Sequence, residues 1–98
     1  MAMPETREDF TDTPYRAPDN VNAATVARIW ADVLGVDRIG AMDSFFDFAG
    51  TSINAISISA KIEREFSITI APRLIYDIDV LEEFVNSLRI DGDDARDG

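Results

Sequence analysis

The chemistry this chain can offer lies in one serine and the residues before it. The stretch Asp43-Ser-Phe-Phe-Asp-Phe-Ala-Gly-Thr-Ser-Ile53 sets Ser52 behind Gly50-Thr51, after three phenylalanines in four residues. A serine hydroxyl becomes a nucleophile only when a base removes its proton, and the chain has no histidine and no cysteine. It cannot by itself build a Ser-His-Asp triad, an imidazole base, a thiolate nucleophile or a zinc-thiolate site. Self-sufficient hydrolytic chemistry is not expected. Taken alone, Ser52 reads as a helix cap, a place that Ser and Thr favour, and either Thr51 or Ser52 can cap the helix. Asp43 and Asp47 suggest paired carboxylates, but without an acid-base partner they read as turn and N-cap residues.

These residues need elements to position them. Val26, Ile29, Trp30, Val33 and Leu34 form one apolar stripe at helical spacing and predict a helix over about 22–34. Asn20 or Asn22 can cap its start, and Gly35 can end it in a left-handed turn. Ser52 to Phe66 predicts a second helix, with Ala55, Ile58, Ser59, Ile62 and Phe66 on its core side. Ile53, Ile56 and Ala60 lie elsewhere around that cylinder, so the helix is either central or leaves apolar surface for a partner. Pro72 suits the first turn of a brief helix through Tyr76. Leu81, Phe84, Val85 and Leu88 predict a last helix over about 80–89, with Asp79 and Glu82 as its capping box. Phe66 to Ile70 alternates like a strand but has no strand to pair with, and reads as an extended connector. The expected fold is all-α, a small four-helix bundle with three main helices and one short one. Its core draws on Trp30, Phe45, Phe46, Phe48 and Phe66, the phenylalanines pinning the long loop from Gly35 to Thr51. Lys61, Arg64 and Arg73 read as solvated face.

Composition narrows the function. Ninety-eight residues, 46% apolar and 29% charged, make one small globular domain. Nine basic against nineteen acidic side chains give −10, too few cations for a nucleic-acid binder that must neutralise phosphates. No apolar run reaches the roughly 20 residues of a membrane span, and Met1 to Pro18 has no apolar signal core, so a cytoplasmic location is expected. Polar composition at both ends predicts a flexible segment over 1–20 and a disordered acidic tail over 91–98, with the domain at 21–90 between them. The aspartates after Ile90 are expected to form a solvated tail rather than a calcium loop, for which a closing Glu at the twelfth position is needed.

The stretch from Asp43 to Ile53 resembles the motif around the phosphopantetheine attachment serine of peptidyl carrier proteins, or thiolation domains, in the acyl carrier protein superfamily. Val26-Ala-Arg-Ile-Trp-Ala-Asp-Val-Leu-Gly-Val36 is similar to that family's first helix, Ile62 to Phe66 to the end of its second, and Leu74-Ile-Tyr76 with Val80 to Leu88 to its closing segment. Tyr15-Arg-Ala-Pro18 resembles the linker before such domains in multidomain synthetases. The resemblance implies an acyl-carrier-type bundle in which Ser52 receives 4′-phosphopantetheine from coenzyme A and its thiol holds an acyl or aminoacyl group in nonribosomal peptide or related biosynthesis. The chain would then be a non-catalytic, monomeric carrier. A phosphopantetheinyl transferase would modify it, an adenylating enzyme or domain would load it, and condensing or tailoring enzymes would be served by it. Thr51, Ile53 and Ile56 would lie in the docking surface. A chain without cysteine must borrow a thiol, and one without a nearby base needs an outside enzyme to activate Ser52. Ala49 stands where the family usually has a second glycine, and Phe48 and Ile53 where it has leucine. Thr51 stands where histidine or aspartate is frequent, which leaves the pathway position open and argues against the fatty-acid type. The rival expectations are an acyl carrier of polyketide or fatty-acid type, or an acidic helical interaction module without modification.

Overall fold

The computed structural model describes residues 3–88 and residue 90. The acidic tail expected at 91–98 lies outside the described residues. Four α-helices follow one another: α1 (Val21–Leu34), α2 (Ser52–Phe66), the single-turn α3 (Leu74–Asp77) and α4 (Leu81–Ser87). Two 3-10 turns, Arg7–Asp9 and Phe45–Phe48, complete the order, and no strand forms among the described residues.

Each boundary of α1 has a local cause. The Asn20 side chain accepts from the Ala23 N–H at 2.8 Å, so Asn20 rather than Asn22 is the cap. Gly35 ends the helix at φ 75°, where a side chain would strain the turn. Val26, Ala27, Trp30 and Ala31 are buried, while Ile29, Val33 and Leu34 pack at the edge of the core. Facing them, α2 buries Ala55, Ile58, Ser59 and Ile62. Trp30 sits at the centre, its ring 5.9 Å from Phe45 and 5.6 Å from Phe84, all three sealed from solvent. Aromatic pairs at such spacing add to the area they bury. Beyond α2, Ser67 turns the chain at φ 57° and the Ile70 N–H donates to Glu63, so this connector is irregular rather than a strand.

The start of α4 differs from the expected capping box. Val80 is its N-cap and no side chain caps it. The Leu81 and Glu82 N–H groups donate instead to the carbonyls of Asp43 and Ala41, at 3.0 and 2.9 Å. Asp79 is free for another task and accepts from the Ser44 hydroxyl. The loop carbonyls reach the unpaired helix donors first, so a side-chain cap has nothing left to satisfy.

Two core assignments also change. Phe46 is 51% exposed and stacks on Tyr76, with ring centroids 5.7 Å apart. Phe66 is only half-buried at the core's edge. Phe45 to Phe48 forms a 3-10 turn, in which residues three apart eclipse. Phe45 and Phe48 therefore share the buried side and Phe46 points away from it.

The segment before α1, expected to be flexible, meets the bundle at particular residues. Glu5 pairs with the chain after α1, its N–H donating to Gly35 and its carbonyl accepting from Asp37, both at 2.8 Å. Arg7 is 1% exposed and forks onto Asp43, itself 1% exposed, through Nε–Oδ2 and Nη2–Oδ1 contacts of 2.6 Å. Nη2 also donates to the Thr13 carbonyl and Nη1 to Glu8. Hydrogen bonding to Asp43 raises Arg7 above its already high range, so it stays protonated at any working pH. The Glu8 carboxyl is held below its ordinary value, chiefly by the Arg7 hydrogen bond and secondarily by Arg38. Further along, the Ala41 N–H donates to the Arg16 carbonyl, and the Arg16 guanidinium meets Glu82. Polar composition suggested a segment too poor in apolar groups to order itself; a buried, bidentate ion pair ties it to the bundle instead.

Candidate functional site

Ser52 is the first residue of α2 and is exposed to solvent. The residue before it does the capping. Thr51 Oγ1 accepts from the Asn54 N–H at 3.2 Å, and Asn54 Oδ1 accepts from the Thr51 N–H at 3.0 Å, a reciprocal box. The cap reading therefore passes to Thr51, and the Ser52 hydroxyl is left without a capping task. Helix geometry gives the Ser52 and Ile53 N–H groups no acceptor within α2, and the positive end of the helix dipole lies there. An anionic oxygen placed at Ser52 would meet donors and a favourable field.

The approach to Ser52 is fixed by contact beneath it. A Cβ on Gly50 would lie 2.2–2.6 Å from three ring atoms of Phe45, so only glycine lets the backbone cross that buried ring. Ala49 turns the chain at φ 57°, a left-handed conformation unusual for alanine. Ser44 starts the 3-10 turn, its hydroxyl accepting from the Phe46 N–H at 3.2 Å while donating to Asp79. The Phe45 N–H donates to the Asp79 carbonyl at 2.8 Å. The serine thus stands on a turn tied to the chain just before α4.

Beside Ser52, Ile53 is 74% exposed and Ile56 is 56% exposed, and Ala60 continues this outer side of α2. Ile58, on the opposite side of the same helix, is fully buried. The structure brings Thr51, Ser52, Ile53 and Ile56 together at one solvent-facing end and flank of α2. It does not bring Asp43 and Asp47 together as paired carboxylates. Asp43 is buried against Arg7 and also accepts from the Gly40 N–H at 2.7 Å, whereas Asp47 is exposed and touches the Thr11 hydroxyl at 3.4 Å. Lys61 and Arg64 are exposed, and Arg73 meets Asp77 one turn along at 3.6 Å in solvent. Arg7 is the residue that sequence reasoning passed over. It lies 36 positions from Asp43, and nothing in its local pattern sets it apart from other charges near the N-terminus.

The sequence profile of the family described as "Phosphopantetheine attachment site" matches residues 24–88, a span that includes Ser52. Bacitracin synthase 3 of Bacillus licheniformis is 30% identical over 91 residues, which cover 90% of this chain and 1% of that synthase. The chain spans 1% to 3% of the length of the first curated relatives it matches. The solution structure of PCP, a prototype for the peptidyl carrier domains of modular peptide synthetases, is 30% identical with a TM-score of 0.65. That match covers 74% of this chain and 95% of the other. A chain of the complex between the phosphopantetheine transferase Sfp, coenzyme A and a peptidyl carrier protein is 29% identical with a TM-score of 0.70, at the same coverages. Among the described residues, no helix is long and apolar enough to cross a membrane.

Proposed function

This chain belongs to the phosphopantetheine attachment-site family, in its peptidyl carrier branch, and we propose that Ser52 is the residue it offers for covalent 4′-phosphopantetheine. The observation that carries this reading is the division of labour at the start of α2. Thr51 closes the capping box, and the neighbouring Ser52 hydroxyl stands exposed and unengaged by it. In the attachment step the Ser52 oxygen bonds to the phosphorus that bears the pantetheine in coenzyme A. The phosphoanhydride bond to adenosine 3′,5′-bisphosphate breaks, and the hydroxyl proton passes to a base. The transferase brings that base and its magnesium ion, since the chain has no histidine and no carboxylate hydrogen-bonds the Ser52 hydroxyl among the described residues.

The attached group supplies the terminal thiol on which an acyl or aminoacyl unit is held as a thioester. The residues present fit it. Ser52 provides the oxygen, and the first-turn N–H groups of α2 can receive the phosphodiester charge. Gly50 on Phe45 keeps the attachment point from sinking into the core. Thr51, Ile53 and Ile56 form the docking surface for the transferase, for an adenylating enzyme or domain, and for condensing or tailoring enzymes in nonribosomal peptide synthesis. The chain is a carrier, acted on by these partners.

Incubation of the apo chain with a phosphopantetheinyl transferase, magnesium and coenzyme A should raise its mass by one phosphopantetheine group. Ser52→Ala should abolish the gain and leave the helical circular dichroism unchanged. Modification of the alanine variant would overturn the assignment.

A further inference from the structure

We infer that Arg7 is a positioning residue for the attachment site, acting through Asp43 to hold the turn from which Ser52 is presented. This rests on the reading of Ser52 given above and adds to it a determinant far upstream in the chain. Arg7 does not touch Ser52. It touches Asp43, the residue just before the cap of the turn.

The first links are short and buried. The Arg7 fork holds both carboxylate oxygens of Asp43 at 2.6 Å, and Asp43 Oδ2 also holds the Gly40 N–H at 2.7 Å. The Asp43 backbone is tied as well, its carbonyl accepting from Leu81 at 3.0 Å and its N–H donating to Gly40 at 3.2 Å. Next in the chain, Ser44 caps the 3-10 turn and bonds Asp79. Phe45 follows, fully buried, with its ring under Gly50. Gly50 leads into the Thr51 cap and Ser52. Through Ser44, Phe45 and Gly50 the Asp43 carboxylate is thus linked to the start of α2.

Stability alone does not account for the pair. Replacing a buried ion pair with apolar residues of similar volume is often neutral or stabilising, so this one is better explained by the geometry it imposes. Arginine is suited to that role. Its planar fork fixes direction as well as distance, which a lysine ammonium does not. The same helix start carries Thr51, Ile53 and Ile56, so displacing it spoils the fit of a partner that must dock there before it can act.

The test uses the full chain as substrate for a phosphopantetheinyl transferase with coenzyme A and magnesium, at varied carrier concentration. Arg7→Met should raise KM for the carrier about tenfold with kcat within about twofold, the signature of lost recognition rather than lost chemistry. Arg7→Lys, which keeps the charge and loses the fork, should raise KM about threefold. Arg16→Ala removes an exposed arginine of the same segment and should leave KM unchanged. Wild-type KM for both Arg7 variants, at a temperature where circular dichroism shows them folded, would overturn the inference. If Arg7→Met does not fold, Arg7→Lys decides alone. A wild-type chain that gains no phosphopantetheine at all would instead overturn the assignment of Ser52, and this inference with it.

Discussion

The seam between Arg7 and Asp43 and the outer side of α2 invert the usual partition of residues. In the seam two charges are sealed from water; on the helix Ile53 and Ile56 stand in it. Buried charges are tolerated when paired and hydrogen-bonded, as the bidentate fork pairs these two. Leaving an isoleucine in water forgoes about 1.5–3 kcal/mol of burial, which the fold could recover only by covering it. The contrast separates two tasks. Rigidity lies beneath the serine, in polar contacts that fix direction, and adhesion lies beside it, in apolar surface left for a visitor.

The hardest way to break that contrast is to open the seam. Arg7→Met leaves Asp43 as an unpaired buried carboxylate and should cost about 3–5 kcal/mol of stability in urea unfolding. That is a large share of the roughly 5–15 kcal/mol typical of a domain. A loss under about 1 kcal/mol, the level of a surface ion pair, would show that the seam is open to water. Next comes Gly50→Ala, which drives a methyl group into the Phe45 ring at 2.2 Å. Overpacking of this kind should cost about 1–3 kcal/mol and lower the melting temperature. An unchanged melting temperature would mean that the ring yields, and that the platform under Ser52 is softer than the contrast requires.

The two regions were not equally legible in the sequence. The helices and the aromatic centre were, because α1 and α2 each carry a stripe at 3.6-residue spacing and Gly35 marks a left-handed stop. Phe45 and Phe48 were correctly placed inside, but Phe46 was not. A 3-10 turn eclipses residues three apart, and no local signal distinguishes it from a loop that buries all three rings. The Asp79 box failed for a tertiary reason, since the carbonyls of Ala41 and Asp43 satisfied the first donors of α4. Asp43 was assigned a turn role because its real partner sits 36 residues upstream. Ser52 is legible as a motif, but the choice between Thr51 and Ser52 as cap is not. That depended on Asn54 closing the box with Thr51.

The finest test lies on the adhesive side, where stability should hardly move. Ile53→Glu replaces a side chain that is 74% exposed, so its effect on unfolding should stay within about 0.5 kcal/mol. The new carboxylate would sit in the first turn of α2, where the helix dipole favours negative charge, so a folding defect is not expected. Loading by an adenylating partner should nevertheless fall, because a charged group in an apolar contact must be stripped of water without a counter-charge to receive it. Circular dichroism melting and aminoacylation of the modified chain would measure the two effects separately. Unfolding would return Ile53 to the core, and unchanged loading would move the adhesive surface elsewhere on the bundle. A fall in loading with an unchanged melting temperature is the one result a purely structural isoleucine could not produce. Arg7→Met differs from it in kind, since there stability and presentation should fail together.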